Sequence, residues 1–182
     1  MATTDASFER AYAQHLAAVS GFLHRRVERR FVEDLAADVF AIAWRRRSTV
    51  TPGEELPWLY RIAANVVSNH RRKVATGVAL FAALRPADSA PSAEDIVIAD
   101  ASLAEAWARL RPRDREILAL AFVEDLPVAE IAIALDISAN AASIRLHRAK
   151  KSLGAFLATE TVSETSERSG GFATSPPYEQ PS

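Results

Sequence analysis

The stretch EIAIALDISANAASIRLHRAKKSL, residues 130–153, contains two helical patterns that are separated by a very short break. Apolar residues fill the first half and basic residues the second, with Asp136, Ile137 and Ser138 between them. This break is too short for a domain linker, and Asp and Ser are poor residues for a helix interior. The chain must therefore turn sharply here, with two short helices abutting each other.

The residues around this turn complete a helix-turn-helix pattern. The first helix is predicted at residues 128–135, with Ile131 and Leu135 turned inward and the small Ala132 where the second helix approaches. Ser138 is placed to cap the second helix. We therefore expect the compact helical pair that many DNA-binding proteins use.

The second helix, predicted from Ala139 to about Phe156, is the basic one. No acidic residue occurs between residues 139 and 159. In a helix-turn-helix this helix lies in the major groove, where cations and hydrogen-bond donors meet phosphates and base edges. A basic surface helix without a ligand is the alternative. The side chains predicted to contact DNA are Asn140, Ser143, Arg145, Arg148, Lys150 and Lys151.

Two further helices are predicted just upstream of this motif. One runs from about residue 99 to 109, and Pro112 begins the next, whose apolar residues include Ile117 and Leu118. These four helices define a C-terminal domain at residues 99–158.

The first part of the chain predicts three helices, which form an N-terminal domain at residues 1–78. Apolar residues recur at spacings of three and four from Phe8 to Val27. The second helix runs from about Val32 to Arg46, with acids in its first turn and arginines at its end, as the helix dipole favours. A break rich in Pro and Gly precedes the third helix.

The third helix carries a polar stripe beside its apolar face. Arg61, Asn65, Asn69 and Arg72 recur at helical spacing, and Trp58 lies near the start of the stripe. Amides, guanidinium groups and an aromatic ring are the groups that contact bases and phosphates. A solvated helix face is the alternative, although asparagine is a poor helix former and two in one stripe need a reason. Trp58 is equally compatible with a core position.

The remaining segments predict flexibility, and the charge alternates along the chain. Residues 79–98 are rich in Ala, Pro and Ser and predict a flexible linker, although VALFAAL at its start predicts a helical extension or a short packed segment. Residues 159–182 predict a disordered tail. Net charge is +4 over residues 1–78, −4 over 79–106, +2 over 107–157 and −3 over 158–182. The overall charge of −1 therefore hides two basic segments.

Several classes of protein are not favoured by the sequence. It contains no cysteine, so disulfides and cysteine-ligated zinc are excluded. The four histidines form no pair at metal-ligand spacing, and no phosphate-binding loop or nucleophile motif occurs, so we expect no metal, no cofactor and no enzyme activity. No secretory signal or membrane span is predicted, and a cytoplasmic location is expected.

Taken in order, these motifs resemble those of the ECF-type (extracytoplasmic function) sigma factors of bacterial RNA polymerase. The first half contributes EDLAADVFAIAWRR and PWLYRIAANVVSNHRRK, and the second contributes LRPRDREILALAFVEDLPVAEIAIALDIS and RLHRAKKSL. The resemblance covers about residues 7–157. It implies an all-α protein of two small helical domains joined by a flexible linker, with the helix-turn-helix in the C-terminal domain.

The resemblance also implies roles for individual residues. In such proteins the N-terminal domain binds core RNA polymerase and opens the minus-ten promoter element, while the helix-turn-helix recognises duplex DNA at the minus-thirty-five element. The residues that match the polymerase-binding segment are Leu35, Asp38, Val39, Phe40 and Arg46. Those that match the minus-ten surface are Trp58, Arg61, Asn65, Asn69, Arg71 and Arg72. An anti-sigma factor is the expected regulatory partner.

Three residues depart from the pattern of the family. Asp136 stands where glycine is common in the turn, and it can still adopt the left-handed conformation. Ala142 is smaller than the usual residue and is expected to weaken packing, and Asn69 replaces a common acid. Two alternatives remain at this stage: a helix-turn-helix regulator that is not a polymerase subunit, and a helical interaction protein that binds no DNA.

Overall fold

The computed structural model describes residues 5–82 and 100–169, and this part of the chain is all-α. The predicted fold class is confirmed. The linker residues 83–98 and the tail after residue 169 lie outside the described residues. The helices are α1 (Asp5–His24), α2 (Val32–Arg45), α3 (Glu55–Ala82), α4 (Ala101–Arg109), α5 (Pro112–Phe122), α6 (Val128–Leu135) and α7 (Ala139–Ser169), with short 3₁₀ turns at Arg29–Phe31 and Arg47–Thr49.

Helices α1, α2 and α3 pack together through the apolar stripes that the sequence predicts. Val19, Leu23 and Val39 are fully buried between them. Each such side chain contributes roughly 1.5–3 kcal/mol by leaving water. Tyr12 meets Phe40 edge-to-face, with ring centroids 4.6 Å apart. This packing holds the polar stripe of α3 on the surface of the bundle.

Helices α4 to α7 form the second bundle around Ile117, Leu118 and Ile131, which are fully buried. Helix α4 begins at Asp100, whose Oδ1 accepts hydrogen bonds from the backbone N–H groups of Ser102 and Leu103. A hydrogen bond from the Ser102 hydroxyl, together with these two backbone bonds, lowers the pKa of Asp100. The cap satisfies two N–H groups that have no partner inside the helix.

The turn between α6 and α7 has the geometry that the sequence predicts. Asp136 is left-handed, with φ 55° and ψ 47°. The Ile137 N–H reaches back to the Ala132 carbonyl at 3.0 Å, and the Ser138 hydroxyl caps α7 by accepting from the Ala141 N–H at 3.2 Å. The capping role of Ser138 and the tolerance of Asp at the turn are confirmed. Ala142 is fully buried, so its small side chain lies in the core.

Two helices extend into segments that were assigned to the linker and the tail, and for α3 the helical extension was one of the two predictions. Helix α3 continues to Ala82, into the segment predicted as linker, and α7 continues to Ser169, into the segment predicted as disordered. The prediction of disorder was therefore wrong for residues 159–169. Composition alone suggested disorder, but this segment contains no Pro or Gly before Gly170, so nothing in its local sequence stops a helix.

The two bundles lie against each other, with α6 of the second packed on α3 of the first. The buried apolar side chains of both bundles form one connected cluster. Glu124, in the loop after α5, inserts its carboxylate between Arg25, in the turn after α1, and Tyr60 of α3. Separate bundles were predicted, but how they sit together was not.

Candidate nucleic-acid interface

The polar stripe of α3 lies on the surface, as predicted. Asn65, Asn69 and Arg72 are exposed and follow one another along the helix. Arg71 is also exposed and donates from Nη2 to the Arg26 carbonyl at 3.2 Å. The arrangement presents amides and guanidinium groups together, which suits bases and phosphates of an unpaired strand.

Arg61, the first residue of the stripe, is engaged by the second bundle. Its Nη1 lies 2.7 Å from Oδ1 of Asp136, the left-handed residue of the helix-turn-helix. The side chains are 35% and 77% exposed, so water screens this ion pair. The structure therefore brings one residue of the predicted minus-ten surface into contact with the turn of the helix-turn-helix.

Trp58 is not part of the exposed stripe. It is only 6% exposed and belongs to the core of the first bundle. Its indole ring therefore cannot stack on a base in this arrangement. The core interpretation of Trp58, which the sequence left open, is the one that the structure supports.

Helix α7 presents a polar outer face. Its buried face consists of Ala142, Leu146 and Ala149. The exposed residues among those predicted to contact DNA are Asn140, Ser143, Arg148, Lys150 and Lys151.

Arg145 is the exception among the predicted contacts of α7. Its Nη2 donates to the Arg113 carbonyl at 2.5 Å and lies 3.7 Å from the Glu116 carboxylate. This guanidinium joins α7 to α5, and in this arrangement it is directed at the protein.

The predicted polymerase-binding segment on α2 divides into exposed and buried residues. Leu35, Val39 and Phe40 are buried and pack in the first bundle. Asp38 and Arg46 are exposed. The three apolar side chains thus hold α2 in place, and the exposed residues Asp38 and Arg46 are the part of the segment that a partner can contact here.

A cluster around Glu124 was not predicted from the sequence. The Glu124 side chain is 3% exposed. Its Oε2 lies 2.5 Å from Arg25 Nη2 and accepts a hydrogen bond from the Tyr60 hydroxyl at 3.1 Å, and its Oε1 lies 3.3 Å from Arg26 Nη1. The Arg26 guanidinium also lies over the Phe22 ring, with its Cζ atom 3.5 Å from the ring centroid. We call Glu124, Arg25, Arg26 and Tyr60 the Glu124 cluster.

Burial shifts the pKa values of two members of this cluster, Tyr60 and Arg26. Removal from water raises the pKa of Tyr60 above its usual value, and the nearby Glu124 carboxylate raises it further. Burial lowers the pKa of Arg26, and the charge of Glu124 opposes that shift. No periodicity signals these contacts, because Glu124 and Arg25 are 99 residues apart.

Residues 5–82 and 100–169 contain no group of three or more His, Asp or Glu side chains that could hold a metal ion. In the same ranges no helix has the length and apolar character that crossing a membrane requires.

Comparison with known proteins agrees with this two-bundle arrangement. Residues 11–76 match the family model for sigma-70 region 2, and residues 100–153 match that for sigma-70 region 4. The ECF RNA polymerase sigma factor BldN of Streptomyces coelicolor is 32% identical over 163 residues, which is 83% of this chain and 60% of BldN. The chain thus spans less than two thirds of the length of this relative.

Two solved structures share the fold. CnrH in complex with the cytosolic domain of CnrY has a TM-score of 0.56 at 21% identity, over 86% of this chain and 90% of CnrH. The sigma factor RpoE in complex with the anti-sigma factor NepR from Bartonella quintana has a TM-score of 0.59 at 20% identity, over 82% of this chain and 96% of RpoE. With regions 2 and 4 in order on one chain, the protein belongs to the ECF-type sigma factors.

Proposed function

We propose that this chain binds core RNA polymerase and directs promoter recognition, opening of the minus-ten element and transcription initiation. The observation that carries the proposal is the ordered pair of region 2 and region 4 matches on one chain. Sigma factors are not enzymes in general, and the chemistry of RNA synthesis would belong to the polymerase. The site of action would be the cytoplasm.

The first bundle, within residues 1–78, would engage the minus-ten element. The exposed amides of Asn65 and Asn69 can hydrogen-bond to a base removed from the duplex, while Arg71 and Arg72 hold the strand. Extruding a base costs a few kcal/mol, which these contacts and the polymerase would have to offset.

The second bundle, within residues 99–158, would hold the minus-thirty-five duplex through α7. Asn140 and Ser143 lie near the N-terminus of that helix, where side chains of a recognition helix reach base edges. Arg148, Lys150 and Lys151 follow on the exposed side and would meet phosphates.

Promoter binding would require the two bundles to separate, because Arg61 of the first bundle is held by Asp136 of the second. Within the second bundle, Arg145 would also have to leave Arg113 and Glu116 to reach a base. The linker, predicted at residues 79–98, would allow this movement. An anti-sigma factor is the regulatory partner that we propose, since RpoE from Bartonella quintana is described in complex with one.

Asp38 offers the sharpest test of polymerase binding, because it is exposed on α2 beside the buried residues that anchor that helix. Asp34→Ala is a matched control, since Asp34 is another exposed acid on the same helix. Purified protein would be added to sigma-free core polymerase, and run-off transcription followed across a fragment library of the source genome. We expect specific start sites that weaken at least about tenfold with Asp38→Ala, which corresponds to about 1.4 kcal/mol, and not with Asp34→Ala.

The same assay separates the alternative function. A helix-turn-helix regulator would bind duplex DNA with a steep loss of affinity as salt rises, but it would give no polymerase-dependent start sites. Retained duplex binding without polymerase binding would therefore overturn the proposal. To keep a negative result decisive, the assay would be repeated with Glu124→Ala, which weakens the contact between the bundles.

A further inference from the structure

A polar cavity lies between the two bundles, next to the Glu124 cluster. Its volume is about 290 Å³, and its wall is formed by the turn after α1 together with α3, α4 and α5. This volume is at the lower end of small-molecule sites and is too small for a folded partner. Because the wall comes from both bundles, the cavity exists only while they are packed together.

The wall of the cavity is strongly basic. Five arginines line it, and Glu116 is the one acid among its lining residues. The arginines come from both sides: Arg25 and Arg71 from the first bundle, Arg113 and Arg115 from the second. Glu124 neutralises part of the charge of Arg25 and Arg26. The excess of positive charge over negative remains large even with both acids counted, which favours an anionic occupant.

The cavity also has buried donors without acceptors. The Nε1–H of Trp107 and the Nε–H of Arg25 are removed from water and have no hydrogen-bond partner, and both residues line the cavity. A buried indole N–H normally has a partner, and an unmet donor costs about 1–3 kcal/mol. A missing water or ion is a common explanation for such groups. Ser68 adds a hydroxyl to the lining.

We propose that this cavity is a binding site for a small phosphorylated molecule. Guanidinium groups bind phosphate oxygens through paired N–H donors, and a phosphate supplies several acceptors for the unmet donors. A carboxylate offers fewer acceptors and less charge, so it fits this cavity less well. The bound anion would bridge arginines of both bundles and hold them together.

A ligand that binds only the packed form would favour that form by mass action. If the chain acts as proposed above, the ligand would oppose separation of the bundles and lower promoter binding. This consequence rests on the proposed function, whereas the binding itself can be tested without polymerase or DNA.

The first experiment is calorimetric titration of the full chain with inorganic pyrophosphate, against sodium chloride at equal ionic strength. We expect saturable binding with one site per chain. Arg113→Gln should weaken it at least about tenfold, because one charge-assisted contact is lost. Arg111→Gln is the matched control, since Arg111 is an exposed arginine at the start of the same helix and does not line the cavity.

A second pair of variants tests the unmet donor. Trp107→Phe keeps an aromatic ring but removes the indole N–H, and we expect it to weaken pyrophosphate binding several-fold. Trp44→Phe is the control, because Trp44 lies on α2 away from the cavity. Absence of saturable binding would overturn the proposal, as would equal effects of Arg113→Gln and Arg111→Gln. If Arg113→Gln instead weakened only duplex DNA binding, the arginine would belong to the DNA surface and the proposal would be wrong.

Discussion

Two ion-pair contacts between described residues of the bundles contain the same kinds of groups but differ in their surroundings. At one, Glu124 is 3% exposed and is shared by two arginines and a tyrosine. At the other, Arg61 meets Asp136, which is 77% exposed. Removing a partner from a buried carboxylate costs several kcal/mol of stability, whereas an ion pair that water screens contributes little to stability. The Glu124 cluster should therefore control the packed arrangement, and the Arg61–Asp136 pair should adjust it.

The largest effect is expected from Glu124→Ala. This change removes the carboxylate that the Arg25 and Arg26 guanidinium groups share, and it should destabilise the packed form by about 2–3 kcal/mol. The bundles can relieve this cost by separating, which returns both arginines to water. We therefore expect an increase in the separated population more than unfolding of either bundle.

Energy transfer between two dyes would measure that separation. The chain has no cysteine, so Ala17→Cys and Ala108→Cys, at exposed positions in the two bundles, give unique labelling sites. Glu105→Ala, an exposed acid on α4, is the control. An unchanged transfer efficiency in Glu124→Ala would contradict a controlling role for the cluster.

Alkaline pH should open the same contact. The pKa of Tyr60 is raised by burial and by Glu124, so its neutral form stabilises the packed arrangement. That stability is complete below the ordinary tyrosine pKa of about 10 and falls as pH rises above it, by up to about 1.4 kcal/mol per pH unit. The dye-labelled protein should lose energy transfer above about pH 10. Tyr60→Phe should flatten this pH dependence, and an identical curve would rule Tyr60 out as its source.

At neutral pH, Tyr60→Phe should have a moderate effect of about 1 kcal/mol on the packed form, because one hydrogen bond to Glu124 is lost. The ring should remain stacked on Phe22, at a centroid distance of 5.0 Å. Tyr12→Phe is the matched control, since Tyr12 is 42% exposed. An effect as large as that of Glu124→Ala would mean that the hydroxyl, and not the carboxylate, dominates the cluster.

The smallest effect is expected from Asp136→Asn. Asparagine also adopts the left-handed conformation, so the turn should remain and only the ion pair with Arg61 is lost. We expect at most about 0.5 kcal/mol, vanishing as salt is raised. Asp125→Asn is a close control, because Asp125 is exposed and also has positive φ, at 53°. If the destabilisation persisted in high salt, the Arg61–Asp136 pair would stabilise the packed form more than a solvent-exposed ion pair is expected to.

Local sequence signals accounted for most of the individual helices. Pro112 begins α5, and α6 spans Val128–Leu135 as its apolar pattern predicts. The Ser138 cap and the left-handed Asp136 also followed from residue type. Such signals are reliable because their partners lie within a few residues. The predicted site residues on α3 and α7 came from helical spacing, and most of them lie on exposed faces.

Other features depended on contacts that helical spacing does not reveal. Periodicity left two places open for Trp58, and only the packing of α3 against its neighbours placed it in the core. Val39 and Phe40 match the polymerase-binding segment in sequence, but their side chains are buried, whereas the neighbouring Asp38 is exposed. The continuation of α7 to Ser169 was missed because composition was given more weight than the absence of a helix breaker.

The sequence by itself determined the two helical bundles, the helix-turn-helix and the basic character of its second helix. Only the tertiary structure decided that Glu124 joins Arg25, Arg26 and Tyr60, that Arg61 meets Asp136, and that a basic cavity lies between the bundles. The physical reason is the distance along the chain over which each kind of interaction acts. Helix formation and capping depend on neighbours within one or two turns, whereas the partner of a buried charge depends on which distant surfaces exclude water together.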